Sequence, residues 1–449
     1  MTYEKMEAPN IEVGILRDKE LNLFLHGKYH SDSCGGYFIG ALRAKWSDSG
    51  MFLECQGRET ISCRMVELIP GNMERDLADV EAVRIGINFH WDERKKLKFQ
   101  GSMKFVWHEE GIQLINVLPI ETYLRSVISS EMSATSSLEL LKAHAIVSRS
   151  WLMAQLFKPP AKKVPAYKNP EETKDSRICW YDRVDHQGFH VCADDHCQRY
   201  YGHSGNIHPN VIRAIRETTG VVLVSEGHYC DTRYSKSCGG MTETFENCWE
   251  PEPKSYLTSL RDHLPDSGTV QPDLRHEKEA IQWIDQSPEA FCNTTDQHIL
   301  EQVLTNVDKV SLDFYRWTKS YSQNELTLLL HKKTGIDFGN IVDIEPLERG
   351  PSGRLIRIRI CGTKKKHIFG KELEIRRILS ETHLYSSAFY VIKEGNREGV
   401  PEKFIFKGAG WGHGVGLCQI GAAVMGEKGY THKQILEHYF RGVSMQTIY

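Results

Sequence analysis

From Ile11 to about Phe105, hydrophobic and polar positions alternate in short runs, as in Ile11-Glu12-Val13-Gly14-Ile15-Leu16 and Ala82-Val83-Arg84-Ile85-Gly86-Ile87. A period of two marks half-buried strands, so residues 1–105 are expected to form a β-rich N-terminal region. The period then lengthens. Ile120, Leu124, Val127 and Ile128 fall at helical spacing, and extending their stripe by three or four residues lands on Glu131. A second helix is expected to follow, with Ser136 and Glu139 in capping-box spacing and a stop at Pro159-Pro160. Residues 158–175, rich in Pro, Lys and Glu, read as a loop. Gly220-Val221-Val222-Leu223-Val224 reads as a strand leading to a tight turn at Ser237-Cys238-Gly239-Gly240.

Residues 251–400 read as an insertion. Ser322 and Glu325 cap a helix that continues with Leu326, Leu328 and Leu329. Further on, Ile356, Ile358 and Ile360 alternate with Arg357 and Arg359. A turn at Arg349-Gly350-Pro351-Ser352-Gly353 precedes them, which predicts an antiparallel hairpin with the arginines on one face. The expected class is α+β, with a mixed helix/strand core and a glycine-lined cleft: a β-rich region over 1–105, a core segment with the Glu131 helix and the Cys/His segment over 106–250, an inserted α+β subdomain over 251–400, and a C-terminal core segment with the Gly-Trp-Gly-His-Gly motif over 401–449. Neither an internal repeat nor a low-complexity tract is visible.

Composition narrows the class of function. At 449 residues, 40% hydrophobic and 26% charged, the chain has the make-up of a folded protein with room for a large core. Its 56 Lys and Arg against 59 Asp and Glu leave a net charge of −3, which argues against a general nucleic-acid binder. No run of eighteen apolar residues occurs, so a transmembrane helix is not expected. Glu4, Lys5 and Glu7 interrupt the place where a secretory signal would carry its apolar stretch, so no signal peptide is expected in the sequence as written. Twelve cysteines are too sparse for a disulfide-built scaffold.

Three segments could carry chemistry. A carboxyl group on an apolar helix face, as at Glu131, is desolvated, which favours the protonated form that general-acid cleavage needs; a plain cap or ion pair at the helix end fits the same spacing. The segment His186-Gln187-Gly188-Phe189-His190-Val191-Cys192-Ala193-Asp194-Asp195-His196-Cys197 holds two thiols and three imidazoles. Such a set is compatible with zinc, with free cysteines in a polar loop, and with a Cys192–Cys197 disulfide in an oxidising compartment. Gly408-Ala409-Gly410-Trp411-Gly412-His413-Gly414-Val415-Gly416 is too glycine-rich to be accidental. A phosphate loop would continue with Lys and Ser or Thr, whereas Leu417, Cys418 and Gln419 follow. A cleft wall presenting Trp411 and His413 to a sugar or peptide fits better, with Trp411 as a core residue the other reading.

Taken together, these residues resemble the stage II sporulation protein D family, which also includes the amidase-enhancer proteins. The resemblance runs through Val117-Leu118-Pro119-Ile120-Glu121-Thr122-Tyr123-Leu124, Ser130-Glu131-Met132, and Leu140-Leu141-Lys142-Ala143-His144-Ala145 with Arg149. It continues at Ser237-Cys238-Gly239-Gly240-Met241-Thr242 with Trp249, in the insertion at Tyr256-Leu257-Thr258-Ser259, Trp317 and Ser352-Gly353-Arg354, and at Ile435-Leu436 with His438-Tyr439-Phe440. It is strongest at Gly410-Trp411-Gly412-His413-Gly414-Val415-Gly416-Leu417-Cys418-Gln419-Ile420-Gly421-Ala422. Departures include His144 where Gln is common and Ser150 where Thr is common.

The resemblance implies binding and cleavage of peptidoglycan glycan strands by a lytic-transglycosylase route on strands stripped of stem peptides. The implied acid is Glu131, which protonates the glycosidic oxygen and, as carboxylate, takes the proton of the sugar's 6-hydroxyl as that oxygen attacks C1. This route leaves a 1,6-anhydro-muramyl end and needs no second carboxylate, unlike ordinary glycosidases. The implied substrate-binding set is Arg149, Ser237, Gly239, Gly240, Trp411, Gly412, His413, Gly414 and Gln419. A structural zinc would be held by His186, Cys192 and Cys197, with His190 and His196 open as substitutes. The cell envelope or periplasm is the implied location. Two other readings stand beside this one: a non-catalytic peptidoglycan-binding module that enhances a separate cell-wall amidase, and a zinc hydrolase built on the Cys/His cluster.

Overall fold

The computed structural model describes residues 7–57, 60–87, 92–133, 135–158, 170–180, 186, 188–203, 205, 207–264, 271–304 and 313–449. The Pro159-Pro160 stop, and most of the loop expected over 158–175, lie outside the described residues. The fold is α+β with a β-rich N-terminus. Among the described residues, those of 1–156, 184–222 and 446–449 make one compact unit and those of 157–183 and 223–445 a second.

In the first unit, ten strands among the described residues precede the helix α1 (Ile120–Glu131): β1 (Asn10–Asp18), β2 (Glu20–His30), β3 (Tyr37–Ser47), β4 (Gly50–Cys55), β5 (Ile61–Cys63), β6 (Met65–Pro70), β7 (Leu77–Ile85), β8 (Glu93–Gln100), β9 (Ser102–His108) and β10 (Gly111–Pro119). They form one continuous sheet in the order β1, β10, β9, β6, β2, β3, β4, β5, with β7 on β2 and β8 on β7. The period of two is plain in β2, where Leu21, Leu23 and Leu25 are buried and Asn22, Phe24 and His26 face outward. β10 differs, since seven of its nine residues are buried, Asn116 among them. Asn116 is tolerated there because its amide donates to the Gln100 and Ser102 carbonyls and accepts from Tyr200.

β10 runs straight into α1 (Ile120–Glu131), where Pro119 at the N-cap needs no amide hydrogen bond. α1 buries Ile120, Tyr123, Leu124, Val127, Ile128 and Glu131, so the apolar stripe and its terminal carboxylate share one inward face. α2 (Leu138–Leu156) follows, buried almost throughout. Its first turn is met by Ser137, whose hydroxyl accepts from the Leu140 amide, one residue later than the sequence spacing of Ser136 and Glu139 places the cap. Ser136 instead donates to the Ser133 carbonyl. The short strand Val191–Cys192 adds to the edge of β1 in parallel, and α3 (Pro209–Glu217) packs on α1 and α2.

The second unit holds the hairpin expected at Ile341–Arg349 and Leu355–Gly362, extended by Lys366–Gly370 and Ser176–Ile178. The helix Gln323–Thr334 carries the Ser322/Glu325 capping box in full and ends at Gly335. A three-stranded sheet with Lys403–Ala409 at its centre packs its Phe404 and Phe406 into the same core as Leu326, Leu330, Ile358 and Ile360. No helix among the described residues is long and apolar enough to cross a membrane.

Candidate functional site

Glu131 is the last residue of α1 and retains 7% exposure. A carboxylate at a helix C-terminus stands at the negative end of the dipole, where it works against stability. The Arg199 backbone N–H donates to its Oε1 at 3.2 Å. Arg199 is fixed in turn by an ion pair of 2.5 Å with Asp195, and Tyr201 lies close enough to feel both the Asp195 and Glu131 charges. Burial pushes the Tyr201 phenol up. The neighbouring Tyr200 stacks on Tyr123 of α1 with ring centroids 5.1 Å apart. Segment 198–201 is thus strung along the helix that ends in Glu131.

That segment is the exit of the Cys/His loop. His186 Nε2 lies 3.1 Å from Cys197 Sγ, and His196 Nδ1 lies 3.7 Å from Cys197 Sγ and 3.9 Å from Cys192 Sγ. The four ligand atoms of His186, Cys192, His196 and Cys197 all fall within 4.8 Å of one another. His190 turns away, accepting from the Glu12 amide at 3.0 Å, a consequence of the parallel pairing of Val191–Cys192 with β1. Both cysteines are thiols rather than a disulfide. Proximity to Cys197 and burial push the Cys192 thiol up. Two thiols and two imidazoles make a closed donor set suited to a structural zinc. Asp194 anchors the loop by accepting from the Gly86 and Ile87 amides, and burial raises its carboxyl to about 6.

Arg149 is wholly buried. Its Nε and Nη2 bind Glu121 at 2.9 and 2.7 Å and its Nη1 donates to the Val221 carbonyl, so it ties α2 to the start of α1. Glu121 also accepts from the Tyr449 hydroxyl and the Gly220 amide.

The remaining candidates lie in the second unit. Ser237 and Trp411 exchange backbone hydrogen bonds of 2.8 and 3.1 Å, placing the Ser237–Gly240 turn beside the glycine-rich segment. Trp411 is half-buried, stacked on Tyr385 at 4.3 Å and tilted against Phe314 at 4.6 Å. His413 accepts from the Val415 amide and meets Trp249 edge-on. Burial, with Arg233, Arg376 and Arg354 nearby, holds its imidazole well below the usual range, so the ring is neutral. Gly414, at φ +76°, lies against the Arg354 guanidinium: a Cβ there would stand 2.4 Å from Arg354 Cζ. Arg354 donates to the Gly412 and Cys238 carbonyls and to Ser352, binding the two motifs together. Gln419 opens the helix Gln419–Glu427 and is buried.

One polar centre escapes sequence reasoning. Glu243 is fully buried, accepts from Ser352, Asn247 and the Thr244 amide, and has its carboxyl raised by burial. Ser352 and Arg354 belong to the segments that carry the resemblance, which is the one signal that could have led to it.

Residues 108–224 match the stage II sporulation protein family, and residues 243–416 match a domain of unknown function (DUF8618). The chain is 24% identical over 356 residues to an uncharacterized protein of Brachyspira hyodysenteriae, covering 78% of this chain and 72% of that protein. Its identity to the amidase enhancer of Bacillus subtilis is 24% over 346 residues, 72% of this chain but 40% of that relative's length. To the stage II sporulation protein D of Bacillus subtilis it is 22% over 334 residues, covering 74% and 76%. Residues 108–224 thus carry the stage II sporulation protein match, and most of the chain is similar to stage II sporulation protein D and to part of the amidase enhancer.

Proposed function

We propose that the chain cleaves peptidoglycan glycan strands by a lytic-transglycosylase mechanism with Glu131 as general acid and then base. The observation that carries this reading is the placement of Glu131: a carboxylate buried on an apolar helix face, against the helix dipole, and steadied by a backbone N–H from a separate segment. A group held at odds with stability in this way supports reading Glu131 as a functional residue. Protonated, Glu131 gives its proton to the glycosidic oxygen; as carboxylate it accepts the 6-hydroxyl proton while that oxygen closes on C1, and the sugar supplies its own nucleophile. Removal of such an acid costs about 100-fold or more in rate.

Zinc on His186, Cys192, His196 and Cys197 would hold the loop that delivers Arg199 to Glu131. Its part would be structural, since the four protein donors of that set would leave no position for substrate. In the second unit, the half-buried face of Trp411 offers a platform for a sugar ring, while Arg149, paired inside the first unit, supports α1 and α2.

The test is digestion of peptide-stripped and intact glycan strands, with products read by mass spectrometry. Release of 1,6-anhydro-muramyl ends supports the proposal. The second reading, a binding module that enhances a separate amidase, draws on the similarity to the amidase enhancer. Strand binding without cleavage, together with a rise in the rate of an added cell-wall amidase, would put that reading first.

A further inference from the structure

Four chain segments of the second unit converge on a second set of ligand atoms that no motif announces. Cys238 follows the strand Tyr234–Ser235, Cys418 is the N-cap of the helix Gln419–Glu427, and Asp262 and Cys292 come from the loops between. All four are buried, and their three Sγ atoms and one carboxylate oxygen lie within 4.8 Å of one another. The Cys238 and Cys292 sulfurs are 3.6 Å apart. A tetrahedral zinc with Zn–S bonds of about 2.3 Å sets neighbouring sulfurs about 3.8 Å apart. The spacing is too long for a disulfide, whose sulfurs stand about 2.05 Å apart, and leaves no room for bridging sulfides.

The surroundings are those of a metal site with an outer shell. The Cys238 amide donates to Cys418 Sγ at 3.2 Å, the contact that stabilises a thiolate. Asp262 is held from both sides, Oδ2 accepting from the Cys292 amide at 2.9 Å and Oδ1 from the Tyr439 hydroxyl at 2.6 Å, which leaves a lone pair on each oxygen. Its ion pair with His438 is long, 3.8 Å, for a carboxylate with no exposure at all. A buried carboxylate without a close cation is costly. Gly421 makes the approach of Asp262 and Tyr439 possible, since a Cβ there would lie 2.3 Å from the Tyr439 hydroxyl and 2.7 Å from both Asp262 oxygens.

We infer that Cys238, Asp262, Cys292 and Cys418 bind a zinc ion, separate from the His186–Cys197 cluster. Binding releases the three thiol protons to solvent and leaves a closed S₃O shell, so the ion is structural. It clamps the Ser237–Gly240 turn to the helix that follows the glycine-rich segment. Soft thiolates favour zinc over magnesium or calcium.

The test is metal analysis of the full chain carrying Cys192→Ser and Cys197→Ser, which removes the first cluster. Mass spectrometry of acid-digested protein should return about one zinc per chain, with a zinc-edge X-ray absorption spectrum of three sulfurs near 2.3 Å and one oxygen near 2.0 Å. Adding Cys292→Ser should remove that zinc. If the double variant does not fold, wild type against Cys292→Ser decides, with a fall of about one zinc per chain expected. A folded, metal-free double variant, iron in place of zinc, a nitrogen-containing shell, a Cys238–Cys292 disulfide in unreduced peptides, or zinc unchanged by Cys292→Ser would each overturn the assignment.

Discussion

The backbone N–H of Arg199 donates to the Glu131 carboxylate at 3.2 Å, two residues beyond Cys197. The order of the Cys/His loop therefore bears on the position of the carboxylate. Zinc loss through Cys197→Ser is expected to lower the rate of strand cleavage about 10–100-fold, the usual effect of losing a supporting partner of a site, while the fold persists. Zinc content, circular dichroism and rate, measured together, check this. A zinc-free, folded variant cleaving at the wild-type rate would separate the loop from Glu131.

Arg149 and Glu121 form a bidentate pair whose arginine side chain has no exposure. Arg149→Met leaves the half-buried Glu121 without its cation and is expected to cost up to about 3–5 kcal/mol. The double variant Arg149→Met, Glu121→Leu should recover much of that loss. Urea denaturation of the three proteins checks the prediction, and additive losses would contradict it.

Gly414→Ala places a side chain at φ +76° and against the Arg354 guanidinium. Left-handed backbone alone costs a non-glycine residue about 1–2 kcal/mol, and displacing Arg354 adds to it. A lowered melting temperature is expected, with a larger fall than for alanine at the open Gly429.

Stability should also fall on mild acidification. His413 is held well below the usual range by burial and nearby arginines, and burial with Arg376 and Lys333 pushes His383 down to about 3. The folded chain resists protonating either ring, while the unfolded chain protonates them below about pH 6.5. The unfolded state then binds more protons, so stability is lost as pH drops through that window, by up to about 1.4 kcal/mol per pH unit for each ring. Glu243, raised by burial, acts in the opposite sense. Urea unfolding of wild type and His413→Gln between pH 7 and 5 isolates the His413 share, and equal slopes would contradict it.

Much of this was legible along the chain because it depends on neighbours in sequence. The α1 stripe ending in Glu131, the Ser322/Glu325 box and the Ile/Arg hairpin are local patterns, and local hydrogen bonding and period set them. The α2 cap moved from Ser136 to Ser137 because two serines stand side by side and only one meets the Leu140 amide. What stayed hidden needs long-range pairing. His190 leaves the ligand set because Val191–Cys192 joins β1, some 178 residues earlier. Arg149, which the resemblance assigns to substrate binding, finds its carboxylate partner in Glu121, 28 positions earlier, and Cys238 meets Cys418 across 180 positions. The glycines that read as a cleft wall also serve a buried arginine, a contact no composition reveals.

The central claim is the acid role of Glu131, and the most direct measurement compares wild type with Glu131→Gln on peptide-stripped glycan strands. Both proteins are first matched for fold by melting temperature, and 1,6-anhydro-muramyl ends are counted by mass spectrometry. The expected result is release by wild type and a loss of about 100-fold or more in a folded Glu131→Gln. Equal release by both proteins, or none by a wild type that still binds the strands, would contradict it.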